Sequence, residues 1–144
     1  MVAPTTHVRG LVLRRDGSQC VSCATHTYPL EMNHRQSVGG GGSKVRPLPH
    51  ELNTACSRCN MRFESDLLAK GLAFGWKVRK WVKNPGLVPM FNAARGRWGL
   101  LTSTGGVVVI TAVDAFARMR EVYGEQWDQW AAEAGLLAMR GATR

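Results

Sequence analysis

The chain has 144 residues, 44% of them apolar, which suits one domain or a small domain with an appendage. A formal charge of +9 at pH 7 points to an acidic polymer as partner, nucleic acid being the usual one. No apolar run reaches membrane-spanning length, since the longest, 105–115, is short and contains Asp114. Residues 1–6 lack the apolar core of a signal peptide, so the expected location is a reducing cytoplasm without membrane attachment.

Residues 8–15 fit a short basic helix carrying Arg9, Arg14 and Arg15, closed by the turn signal Asp16-Gly17. There follow Cys20-Val-Ser-Cys23 and, 32 residues beyond it, Cys56-Ser-Arg-Cys59. In a reducing compartment two CxxC pairs read as metal ligands rather than disulfides. Four thiolates can converge on one tetrahedral ion and favour zinc. Such a site has no open position, so this zinc is expected to be a staple for a half of the chain poor in large hydrophobes. The plainer alternative is four unrelated thiols.

Between the pairs, 28–34 reads as a short strand, with Leu30, Met32 and His34 on one face and Glu31 and Asn33 on the other. His34 is a candidate general base for activating water, because an ordinary imidazole titrates near neutrality. His7, His26 and His50 are expected to be structural. The run Gly39-Gly-Gly-Gly42-Ser43 must be a loop, either a plain connector or a basic arm in which Arg35, Lys44 and Arg46 lie along a phosphate backbone. A helix is expected over 57–70, stopped by Gly71. On it Asn60 and Glu64, four residues apart, project to one side and offer oxygen ligands suited to Mg²⁺. The alternative for Glu64 is a solvated helix residue.

Residues 75–83 (GWKVRKWVK) are basic and aromatic, a strand or extended arm in which Lys77, Arg79 and Lys80 would grip phosphates. Trp76 and Trp81 would either stack on bases or belong to the core. Asn84-Pro85-Gly86 marks a soft boundary between 1–84 and 85–144. Beyond it, 87–91, 97–101 and 106–110 read as three short strands. Thr111 then caps a single helix whose apolar face runs from Phe116 through Met119, Tyr123, Trp127, Trp130 and Ala134 to Leu137. That face would cover the small sheet or serve a partner, and the sheet needs cover. The fold class read from these elements is α+β.

The pattern CVSC…MNHR…N…CSRCN over about residues 8–80 resembles the HNH endonucleases, especially zinc-knuckle members such as phage endonuclease VII. The resemblance implies a ββα-metal (His-Me finger) core around the structural zinc knuckle; the small antiparallel sheet and the C-terminal helix that follow are not part of the family core. It implies Asn33 and Asn60 as ligands of a catalytic Mg²⁺ or Mn²⁺, Glu64 as a further ligand, His34 as general base, and Asn53 as the brace for the loop bearing the histidine. Asn33 departs from the Asp or His usual there, and Glu51 stands where the brace is commonly Asn. The implied activity is metal-dependent DNA cleavage by a phage-type protein in a host cytoplasm, with the large terminase subunit as a partner in packaging. A zinc-stapled nucleic-acid-binding module without catalysis, and an adaptor working through its C-terminal helix, are the rival readings.

Overall fold

The structure, a computed structural model, describes residues 2–37 and 45–137. Lys44 and the glycine run at 39–42 therefore lie outside the described residues. Helix α1 (Thr6–Asp16) begins where the Thr5 hydroxyl accepts the Val8 N–H at 3.1 Å, and it closes on Gly17. In its last turn Arg15 and Asp16 are buried. Arg15 pairs with Asp16 at 2.8 Å and donates to the carbonyls of Pro49 and Leu52, while Asp16 accepts the Thr54 N–H. Arg9 and Arg14 stay exposed.

Strand β1 (Leu30–His34) pairs antiparallel with β2 (Leu52–Cys56), setting Asn33 opposite Asn53 and His34 opposite Leu52. A 3-10 turn at Pro49–Glu51 leads into β2, and α2 (Ser57–Arg62) leaves it directly. The helix expected over 57–70 is two helices. Helix α2 ends at Arg62, a run of turns carries 63–67, and α3 is Leu68–Ala73. Gly71 lies inside α3 instead of stopping it, and what its missing side chain admits is the Lys77 stem: a Cβ there would stand 3.0 Å from Lys77 Cγ.

Residues 75–83 form turns rather than a strand, with a single parallel bridge between Val78 and Gln36. That bridge lays Trp76-Lys77-Val78 beside the chain leaving β1, since Val78 N–H donates to Arg35 C=O at 2.7 Å. The three expected strands are present as β3 (Met90–Asn92), β4 (Arg97–Leu101) and β5 (Val107–Ile110), an antiparallel sheet in chain order.

The expected single C-terminal helix breaks at Gly124 into α4 (Ala112–Tyr123) and α5 (Glu125–Glu133). Gly124 adopts φ 65° and ψ −147°, a conformation essentially reserved for glycine. The apolar face survives the break. Ala115, Met119, Tyr123, Trp127, Trp130 and Ala131 pack on Leu72, Ala73, Val78, Val82, Val88 and Trp98. A second core joins Cys20, Val21, Cys56, Cys59, Phe63 and Trp76 to Met90 and Leu101. Both cores draw on residues before and after Asn84-Pro85-Gly86, so those residues are a turn within shared packing. Among the described residues no helix is long and apolar enough to cross a membrane.

Candidate metal and active site

The four cysteines come together where hairpin meets helix. Cys56 ends β2 and caps α2, its sulfur accepting the Cys59 N–H at 3.4 Å, while Val21 of the first knuckle donates its N–H to Thr54 C=O. All four sulfurs lie within 4.8 Å of one another and none is in a disulfide. The Cys23–Cys56 separation of 3.8 Å matches the edge of a tetrahedron whose centre is about 2.3 Å from each sulfur, about 3.8 Å. Cys20, Cys56 and Cys59 are buried and Cys23 is exposed. Burial pushes the Cys20 and Cys59 thiols up, and the neighbouring cysteines add to this at Cys59. At Cys56 burial acts upward too, but hydrogen bonds from Cys59 and the neighbouring thiols outweigh it and leave this thiol below its ordinary value. The donor set fits a structural metal such as zinc, with every ligand a sulfur and no position open to substrate.

On the Asn33 face of the hairpin a second cluster forms, made of oxygens. Asn33 is 2% exposed, and its amide nitrogen donates to Asn53 Oδ1 at 2.9 Å and to Trp76 C=O at 3.0 Å. With the nitrogen so held, Oδ1 faces a cation, the Lys77 ammonium, at 3.4 Å. The same ammonium donates to His34 C=O at 2.8 Å and pairs with Glu64 Oε1 at 3.0 Å. Asn33 and Glu64 therefore converge on one positive charge.

Asn60 does not join them directly. Because α2 ends at Arg62, Glu64 sits past the helix terminus and the expected four-residue helical spacing does not apply. The Asn60 amide instead donates to Glu31 Oε1 at 2.8 Å. Asn60 and Glu31 line one surface depression, whereas Glu64 and Lys77 line another of about 270 Å³ together with Ser37, Arg79 and Lys80. Glu31 was missed as a site residue, although strand alternation places it on the Asn33 side.

Asn53 is fully buried, so it cannot touch substrate. Its amide donates to Trp76 C=O at 3.1 Å and to the Met90 sulfur at 3.5 Å, and its oxygen fixes Asn33. His34 is half-buried at the end of β1, and alternation turns its imidazole to the face opposite Asn33. Burial holds its pKa below the ordinary histidine value, helped by Lys77 and opposed by Glu51. At neutral pH the imidazole is therefore unprotonated, the form a base requires.

Two expected phosphate contacts are corrected. Arg35 is fully buried, its guanidinium shared among the carbonyls of Gly75, His50, Pro85 and Val88 at 2.8–3.1 Å. Burial, with Arg15 next in weight, pulls it down to about 9, so it remains a cation at neutral pH. Lys77 is 6% exposed and committed to the oxygen cluster. Arg46, Arg79 and Lys80 do reach the surface, Arg46 donating to Ala3 C=O at 2.8 Å and Arg79 lying over the Trp130 ring. Trp76 belongs to the core at 1% exposure, and Trp81 stands out at 63% beside Arg79 and Lys80. No family model, curated protein or solved structure matches the chain.

Proposed function

We propose that the protein is a metal-dependent DNA endonuclease of HNH type, built on a ββα-metal core that zinc staples through Cys20, Cys23, Cys56 and Cys59. The observation that carries this reading is the convergence of Asn33 Oδ1 and Glu64 Oε1 on one cation position, one residue from a neutral, half-exposed histidine. Asn33 and Glu64 would hold Mg²⁺ or Mn²⁺, while Asn60, paired with Glu31 in a separate depression, would not, and the ion would supply charge stabilisation at the phosphate.

In this reading the phosphodiester lies across the end of β1, with the cation on the Asn33 face and His34 on the other. His34 takes a proton from water as the water oxygen forms its bond to phosphorus. The bond from phosphorus to the leaving sugar oxygen breaks, and solvent protonates that oxygen. Arg79, Lys80 and Arg46 hold the backbone without reading sequence, so binding weakens steeply with salt. Nicking of supercoiled plasmid in Mg²⁺ or Mn²⁺ tests the reading. Wild type should convert plasmid at least about a hundredfold faster than His34→Ala, the usual scale of general-base catalysis. Equal rates under both metals would remove the nuclease reading.

The filled cation position favours a second reading, a zinc-stapled nucleic-acid-binding protein without catalysis. An ammonium that never leaves would satisfy Asn33 and Glu64 permanently. Salt-sensitive DNA binding with no metal-dependent nicking would select it.

A further inference from the structure

A lysine is an unusual occupant for the place where a divalent ion is expected. Lys77 reaches it by a built route: its stem runs past Gly71, where any side chain would crowd Cγ at 3.0 Å, and its N–H donates to Gly71 C=O at 3.0 Å. The ammonium then satisfies its three donors on oxygens, from His34 C=O, Glu64 and Asn33. Those are the hard ligands a magnesium-sized ion takes. Glu64 supplies the single negative charge and is 60% exposed, so the contact closing the arrangement is the one most open to water. Next to it lies the depression shared with Ser37, Arg79 and Lys80, large enough to receive a displaced lysine head or a phosphate.

We propose that Lys77 is a displaceable plug in this cation position: its ammonium excludes divalent metal from the free protein and moves into the neighbouring depression when metal and a phosphate arrive together. One carboxylate cannot favourably hold a divalent ion and an ammonium side by side, so the two compete, and the added negative charge of a phosphate shifts the balance toward the metal. The inference rests on the proposed cation site but not on hydrolysis.

Mn²⁺ titration followed by electron paramagnetic resonance, on the zinc-loaded full chain without DNA, tests it. Lys77→Met should bind Mn²⁺ at least about tenfold more tightly than wild type, and adding Glu64→Gln should abolish the gain. Equal or weaker binding by a folded Lys77→Met that retains its zinc would overturn the proposal. Should that variant not fold, the wild type decides. The side-chain ¹⁵N resonance of Lys77 should shift when Mg²⁺ and inorganic phosphate are added together, and an unmoved resonance where Glu64 does respond would also overturn it. A tighter Mn²⁺ site in a protein that never nicks plasmid would remove the nuclease reading and leave the plug standing.

Discussion

The protein gathers ligand atoms in two places about the same hairpin, and the two differ in almost every respect. The cysteine cluster is soft, mostly buried and closed, and its members come from two knuckles that bracket the hairpin. The Asn33–Glu64 cluster is hard, open on its Glu64 side, and already holds a positive charge from Lys77, which lies beyond α3. The first is made to stay as it is. The second is held by an ion pair whose carboxylate, Glu64, is 60% exposed, with the half-buried His34 at the strand end beside it.

The contrast is tested most severely at the thiolates. Removal of the metal by a chelator, or Cys56→Ala, should collapse the region from α1 to α2. Structural zinc in small zinc-dependent domains carries about 10–16 kcal/mol of apparent binding energy that is also folding energy. Loss of helical circular dichroism together with stoichiometric zinc release checks this, whereas a folded Cys56→Ala protein would show that the second core carries the hairpin unaided.

Next in size is Arg35. Replacing it with Met leaves carbonyls of Gly75, His50, Pro85 and Val88 without their shared donor, at an expected cost of about 3–5 kcal/mol in urea unfolding. The zinc should stay bound in the folded fraction, since the Arg35 guanidinium bonds to carbonyls of Gly75, His50, Pro85 and Val88 and not to the thiols. Zinc loss in parallel with the stability loss would mean that the two regions are one cooperative unit.

Much of this division can be traced to the residues themselves. Doubled CxxC spacing announces a four-thiolate cluster because the local geometry of each knuckle is nearly self-contained. The strand at 30–34, the three later strands and the apolar face from Phe116 to Leu137 follow from periodicity, which reports burial one face at a time. The oxygen cluster was only half legible. The residue types mark Asn33, Asn60 and Glu64, but their grouping depends on where α2 ends, and Glu64 falls outside the helix that would align it with Asn60. Arg35 and Lys77 read as surface cations in the sequence because composition records charge and not direction. Each turns inward through backbone that only the tertiary fold supplies, Arg35 toward four carbonyls and Lys77 past Gly71. The apolar pattern runs on through Gly124 and so reads as one helix, whereas the positive φ of that glycine ends α4.

The smallest expected effect concerns pH. Burial lowers the pKa of both His34 and His50 from the ordinary 6.5; Lys77 assists at His34 and Glu51 opposes at both. As pH drops below 6.5 the unfolded chain takes up protons that the folded chain refuses, so this stability is fully present above 6.5 and is lost as pH falls through the lowered folded values. Urea midpoints should therefore fall between about pH 7 and about pH 5, with a shallower fall in His34→Gln and His50→Gln. A slope unchanged by either substitution would assign the acid sensitivity elsewhere.

The claim that Asn33 and Glu64 serve a single exchangeable cation is tested most directly by anomalous diffraction. Crystals of the zinc-loaded protein with a short DNA duplex and Mn²⁺ should show zinc at the four sulfurs and manganese in direct contact with Asn33 Oδ1 and Glu64, with the Lys77 ammonium moved away. Manganese absent from that position, with Lys77 still between Asn33 and Glu64 while DNA is bound, would contradict it.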